Sequence, residues 1–441
     1  MTVALSARRA ALTPPWVKRS LWKAAREVPS WHIAPALIGD LTDLVAGQSL
    51  VTFTNSSPAW GFNSSGVLVQ PAANVPFIEY DPATGSALGW RVWDAVTNSI
   101  RNNTMVGAVA GTPGTLPTNW ATSLPAGVTR QVVGVGAVNG IEYIDIRFSG
   151  TPAITSNIQI KPDGNAGAIA TTASQSWAIS SWVAVVAGST ANLSSPRLVL
   201  NDYSAGPTYL RTTIYASNVL SAGSTFARVS GVNTTGASTT IVEPLFLFDV
   251  TSGLAVDITI RIGLPQLQQS ATVGPVVKTS GLTASSTADV ASITGAAFAG
   301  IVNTLQGTLY ASASVPNPGS YSGFLVSLGT DFNNSVHALR QSDAQGVARI
   351  RTASVDQYLQ GAGATWTDSS ARAMAIAYSA ASSNAAFQGA LMGSDTAVTL
   401  PAMTTLSLGS LFGFNQFRGY IRELAIWKSR RPNANLQALT A

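Results

Sequence analysis

From about residue 45 to the end, the chain is a succession of short apolar runs cut by clusters of Gly, Pro, Asn and Ser. That pattern leaves room for little except antiparallel β-structure. Residues 67–69, 128–135, 141–148, 198–200, 210–215, 256–262, 307–314, 324–328 and 373–378 read as strands. The sharpest local signal is the run 130–136, a turn ending in Asn139-Gly140, and the run 141–148. Asn-Gly favours the positive φ angles of a tight hairpin turn. In the second run Glu142, Ile144, Ile146 and Phe148 alternate with Ile141, Tyr143, Asp145 and Arg147, so one largely apolar face is expected to be buried. Many short strands with turn signals at close intervals predict β-sandwiches. Segment 275–286, rich in Gly, Ser and Thr, reads as a boundary between two of them. No clean short repeat points to a propeller or β-helix.

Length and composition narrow the chemistry. The 441 residues suffice for about three domains at roughly 100–200 residues each. Charged residues are 10% of the chain, against about 25% in ordinary soluble domains. With no Cys, disulfides, thiolate metal sites and a Cys nucleophile are excluded, and His32 and His337 are too few for a multi-histidine metal centre. No apolar run approaches the roughly 18 residues of a membrane span. The first 20 residues lack the apolar core of a secretory signal, which predicts folding in a cytoplasm.

The net charge of +5 is concentrated at one end. Residues 1–30 hold six basic side chains and one acid, leaving 19 of each sign elsewhere. Thr13, Pro14 and Pro15 can open a helix. Val17, Leu21, Ala24 and Val28 then recur on one face, with Lys18, Arg19, Lys23 and Arg26 off it and Trp16 and Trp22 flanking. This segment reads as a membrane-surface helix, a nucleic-acid arm, a docking element or a helix capping its own body; its basic, acid-poor character also resembles an organellar transit peptide.

Catalytic signatures are absent. GVGAVNG at 134–140 has the wrong spacing for a dinucleotide fingerprint and precedes a strand, and there is no Walker sequence. Neither histidine is marked as the base of a triad. Glu142 and Asp145 lie three apart on one strand and point to opposite faces, although carboxylates from different strands could still pair. Asp331-Phe332-Asn333-Asn334 offers oxygen ligands of the kind calcium takes, and reads more simply as a polar turn. No cofactor or metal is expected. Aromatic faces with nearby hydroxyl-bonding groups are what sugars require. Trp177 and Trp182, five apart on one strand, should face opposite ways, one into a core and one outward. Trp177 or Trp182, with Trp366, are the glycan-contact candidates; Tyr358 and Tyr203 are weaker ones expected on loops.

Several segments resemble a class of bacteriophage fibre and head-spike proteins. Residues 74–85 (NVPFIEYDPATG), Leu88-Gly89 and 97–102 (TNSIRN) are similar to that family's opening signature. The match continues through 124–130 (LPAGVTR), Asn139-Gly140 and Arg147-Phe148. Residues 262–267 (IGLPQL) resemble the last strand of its carbohydrate-binding-module-like sandwich. Residues 288–293 and 306–310 look like the entry to a concanavalin-like sandwich, and 417–427 (FRGYIRELAIW) resemble the closing strand of a laminin-G-type jelly roll, with 433–441 as its tail.

The expectation is therefore an all-β protein with two antiparallel β-sandwich (jelly-roll) domains after a short helical or extended N-terminal anchor. Its segments would be 1–45 for docking, 46–110 as connector, 111–274 as the carbohydrate-binding-module-like sandwich and 275–441 as the concanavalin-like one. The resemblance implies a non-enzymatic virion fibre or spike, assembled in the host cytoplasm. It would dock on capsid, portal or tail proteins through Trp16, Lys18, Arg19, Trp22, Lys23 and Arg26. It would form a homotrimer and meet host surface polysaccharide, without nucleic acid or membrane insertion. The alternatives are a tailspike-like depolymerase and a purely architectural decoration protein.

Overall fold

The computed structural model describes residues 15–164 and 169–441 and is all-β, with a few short helices. Two compact units divide the chain: 1–95 together with 287–441, and the continuous insert 96–286. The expected connector, 46–110, is thus shared. Its strands Thr52–Thr54 to Ala87–Val92 belong to the first unit and Val96–Asn98 to the second.

In the second unit a five-stranded sheet runs in the order Ala227–Thr234, Ser176–Gly188, Val256–Gln269, Ile141–Gly150, Val128–Val138. A six-stranded sheet is ordered Tyr209–Ser217, Leu193–Tyr203, Ile241–Val250, Ser156–Lys161, Ala121–Ser123, with Ile169–Ala170 also on Ile241–Val250. Every ladder is antiparallel. Ile144, Ile146 and Phe148 are fully buried, as their alternation predicts, and they meet Ile158, Ile160, Phe246 and Phe248 of the other sheet. The turn joining the hairpin has φ +50° at Asn139 and +78° at Gly140, the conformation Asn-Gly supplies most cheaply.

The two edges of this sandwich differ. On one side the edge strands Tyr209–Ser217 and Ala227–Thr234 close backbone to backbone: a Cβ on Gly231 would lie 1.8 Å from the Tyr215 carbonyl oxygen. On the other side, Ala121–Ser123 and Val128–Val138 are bridged by a side chain, with Arg130 Nη1 donating to Thr122 Oγ1 at 3.2 Å.

The first unit packs an eight-stranded sheet against a seven-stranded one. Leu309, Ile376, Leu424 and Ile426 from one face Leu328, Val336, Ile350 and Leu406 from the other. The outer face of the larger sheet carries Ala375, Ala377, Ala386 and Ala425, small enough for two helices, Pro15–Ala25 and Asn433–Thr440, to lie directly on it.

The N-terminal helix is fastened to this body. Leu21 and Ala25 are buried in its seat. Its last carbonyls, at Ala24 and Ala25, accept from Asn435 Nδ2 (2.7 Å) and Arg431 Nη2 (2.7 Å), which satisfies groups a helix end leaves bare. Trp427 donates to the Glu27 carbonyl, and Glu27 pairs with Arg431. The next segment joins the large sheet as Trp31–Ile33, paired with Gly419–Trp427. The helix ends at Ala25, so Val28, expected on its apolar stripe, is exposed. Thr13 and Pro14 lie outside the described residues. No helix among the described residues is long and apolar enough to cross a membrane.

Candidate glycan-binding face

The three tryptophans expected to offer a face to sugar do not offer one. Trp177 points into the sandwich core and donates its indole hydrogen to Thr171 Oγ1 at 3.0 Å. Trp182 does sit on the opposite face of the same strand, but it is 5% exposed, with the Arg228 guanidinium 4.9 Å from its ring centre. Trp366, 1% exposed, is packed between Phe387 and Phe417 in the core of the first unit. Spacing told that the first two point to opposite faces, and nothing in it told which is core or registered the guanidinium above Trp182. Tyr358 is also buried, on the strand Val355–Thr365 and not a loop, its hydroxyl donating to the Gly393 carbonyl.

Of the docking candidates, the side chains of Trp16, Lys18 and Arg19 lie outside the described residues. Trp22 is half-buried and engaged within its own unit, and Lys23 and Arg26 are exposed. The helix from Ser20 onward thus caps its own sheet. The Asp331–Asn334 segment is a turn, Asp331 accepting from the Asn333 amide and the Asn334 side chain. Among the described residues no group of three or more acids and histidines could hold a metal ion.

Tyr203 is different. It ends the strand Leu193–Tyr203, half-buried on the outer face of the six-stranded sheet, opposite exposed Tyr209. The rings meet edge to face, 6.0 Å apart. Around them the outward residues of four strands join in one hydrogen-bonded chain. Thr212 Oγ1 donates to Asn201 Oδ1 at 2.6 Å, which leaves the Tyr209 hydroxyl to donate to Thr212 at 3.0 Å. Asn201 Nδ2 donates to the Tyr203 hydroxyl, and Tyr203 donates to Glu243 Oε2 at 2.9 Å. Lys161 Nζ closes the chain on Glu243 at 3.2 Å. On the same strands Val199, Leu245 and Leu247 form a small buried apolar cluster of their own.

The chain fixes rotamers in advance, so a ligand meeting the face need not first order it. Burial, with the Glu243 carboxylate second, pushes the Tyr203 phenol up to about 12. At neutral pH it is a hydrogen-bond donor, and the shift runs opposite to what a nucleophilic phenolate needs.

All seven carboxylates in the second unit are in ion pairs: Glu142–Lys278, Asp145–Arg261, Asp163–Arg101, Asp202–Arg211, Glu243–Lys161, Asp249–Arg197 and Asp257–Arg147. No two of them share a cation. Glu142 and Asp145, as their spacing predicts, take separate partners.

Of this face the sequence singled out Tyr203 alone, and placed it on a loop; the alternation of Asn157, Gln159 and Lys161 with Ile158 and Ile160 is a further signal that could have found it. Which strands would lie beside it was not readable from one strand.

No family model matches the sequence, and no curated protein matches it. Solved structures give loose likenesses. One is the CBM40 module of a Ruminococcus gnavus IT-sialidase, with 15% identity, covering 32% of this chain and 84% of that one, at a TM-score of 0.28. A second is domain 4 of AbnA, a Geobacillus stearothermophilus arabinanase, in complex with arabinotriose (14% identity, 35% and 73% covered, TM-score 0.29). A third is mouse laminin alpha1 LG4-5 (10% identity, 58% and 83% covered, TM-score 0.24). Likenesses this loose carry no functional weight.

Proposed function

We propose that this is a non-catalytic carbohydrate-binding protein whose second unit meets polysaccharide with the outer face of its six-stranded sheet. The observation that carries the reading is the bonded chain from Tyr209 to Lys161. It places hydroxyls, amides and two tyrosine rings on one pre-ordered surface, the mixture that sugar hydroxyls and ring faces require. The pairing of every carboxylate in that unit supports binding over hydrolysis.

In its fuller form the reading is a virion surface fibre or spike, supported by the sequence segments that resemble phage fibres. The chain would then dock on capsid, portal or tail through its basic N-terminal end, as a homotrimer, and present the insert to host glycans.

The test is to incubate the full-length protein with host surface polysaccharide and follow co-sedimentation and reducing-end release together. Retention without release, weakened at least fivefold by Tyr209→Ala, is the expected result. Release of reducing ends would turn the reading into a depolymerase, and absence of both signals would favour an architectural role.

A further inference from the structure

The second unit's two edges close by different means, and the difference leaves a cleft. At the Gly231 edge the backbones touch. At the other edge, between Ala121–Ser123 and Val128–Val138, a cleft of about 400 Å³ opens, lined by Thr112, Pro113, Thr122, Leu124, Thr129 and Arg130. That volume is within the range of roughly 300–1,000 Å³ typical of small-ligand sites.

Arg130 is the only charged group in the lining. Its guanidinium donates through Nε to the Pro113 carbonyl (3.4 Å), through Nη1 to Thr122 Oγ1 (3.2 Å) and through Nη2 to the Gly114 carbonyl (3.1 Å). A guanidinium has five N–H groups, so one on each terminal nitrogen is left over. The three bonds in place fix the plane of the fork. Among the described residues Arg130 is in no ion pair, whereas every carboxylate of this unit already has another cation. A half-buried guanidinium held by neutral acceptors keeps its charge uncompensated, and the two remaining donors suit the parallel oxygens of a carboxylate. The three threonines at the rim offer hydroxyl partners for the rest of a sugar, and Leu124 offers an apolar contact.

We infer that this cleft receives the carboxylate of an acidic sugar residue, a uronate, so that the second unit prefers acidic polysaccharide over neutral. The inference rests on the carbohydrate-binding reading for its biological sense, but the site itself is testable without it. The carboxylate lies against the Nη1 and Nη2 edge of Arg130, with ring hydroxyls toward Thr112 and Thr129. The binding is non-covalent.

The probe is sodium glucuronate, titrated into the full-length protein by calorimetry or ligand-observed NMR, with methyl glucuronate (the uncharged ester) and sodium sulfate as comparators. The expected result is saturable binding of glucuronate, at least tenfold weaker binding of the ester and of sulfate, and loss of glucuronate binding in Arg130→Gln. Because Arg130→Gln also removes three bonds across the edge, Thr129→Glu serves as a second variant. It supplies a competing carboxylate at the rim, leaves Arg130 and its three bonds in place, and is expected to abolish glucuronate binding while losing only the exposed bond from Thr129 Oγ1 to the Ser149 carbonyl. Equal binding of ester and acid, equal binding of sulfate, no binding by the wild type, or undiminished binding by both variants would each overturn the site. Glucuronate binding that survives in Tyr209→Ala, alongside failure of host polysaccharide to co-sediment with the wild type, would uphold the cleft and sink the sheet-face reading.

Discussion

Trp22 donates its indole hydrogen to Nδ1 of His32 at 3.3 Å. An indole can only donate, so Nδ1 carries the lone pair and Nε2 the proton, which His32 gives to Glu423 Oε1 at 2.7 Å. One neutral imidazole thus ties the N-terminal helix to the strand Gly419–Trp427, at a site where His32 is fully buried.

Replacing His32 with Ala should therefore loosen the helix before the rest of the unit. We expect a loss of about 1–3 kcal/mol, the cost of stranding buried hydrogen-bonding groups. Amide exchange should accelerate selectively over residues 20–27. Uniform acceleration across the first unit would show that the tie is not local.

The same seat changes how virion docking must be tested. Deleting residues 1–30 removes Leu21, Ala25 and Glu27 from the body and should lower the melting temperature whatever the segment binds. Lys23→Glu with Arg26→Glu alters only exposed side chains. Reversing two cations at the helix C-terminus should cost no more than about 1–2 kcal/mol, while reducing incorporation into particles if this face docks. Unchanged incorporation in that double variant would remove Lys23 and Arg26 as docking residues.

Trp366→Ala should destabilise the first unit by about 3–5 kcal/mol, since it empties a packed site between Phe387 and Phe417. Polysaccharide binding by the folded fraction should not change. Tyr209→Ala should do the reverse, weakening binding with only about 1 kcal/mol lost, for its edge-to-face contact with Tyr203 and its exposed bond to Thr212. Denaturant melts paired with co-sedimentation separate the two.

Tyr203 links the sheet face to alkaline stability. Its folded phenol titrates near 12 against 10 unfolded, so the folded state holds this proton more tightly. The associated stability is complete below pH 10 and is lost as pH rises toward 12. Tyr203→Phe should make that part of the stability profile shallower by one group's contribution, the buried Tyr215, Tyr310, Tyr321, Tyr358 and Tyr378 also being pushed up, and absorbance at 295 nm should lose one late-titrating tyrosine.

His337 gives the opposite sign at acid pH. Burial first, and the nearby Arg349 charge next, push the imidazole down to about 3. The unfolded chain binds this proton near 6.5, so the contribution is complete above 6.5 and is lost as pH falls toward 3. The expected slope approaches about 1.4 kcal/mol per pH unit within that window. His337→Gln should remove it, as urea melts at pH 7, 5 and 4 would read.

Much of the β-architecture was legible because each strand carries its own record. The 141–148 alternation, the Asn139-Gly140 turn and the opposite orientations of Trp177 and Trp182 all depend on residues close in sequence. What sequence could not supply was the neighbour across a ladder or above a face. Which of Trp177 and Trp182 would face outward was not readable, and the cover on Trp182 comes from Arg228, 46 positions later and invisible from its strand. Tyr203 was noticed but assigned to a loop, since its value lies in Glu243 and Lys161 on two other strands. The basic N-terminal run left docking and capping of its own body as open alternatives because the seat of its helix, Ala375, Ala425 and Leu436, comes hundreds of residues later.

Each unit clasps its own pair of chain ends. In the second, Val96 is paired with Ser286 across a short ladder. In the first, the Trp93 amide and the Asn55 side chain both donate to buried Asp289. A segment spliced in through such neighbouring ends behaves as a cartridge. Recombination at 95/96 and 286/287 can exchange the whole insert for another of different sequence without rethreading a strand of the carrier, so that one unit can be replaced in a single genetic step while the other is inherited intact.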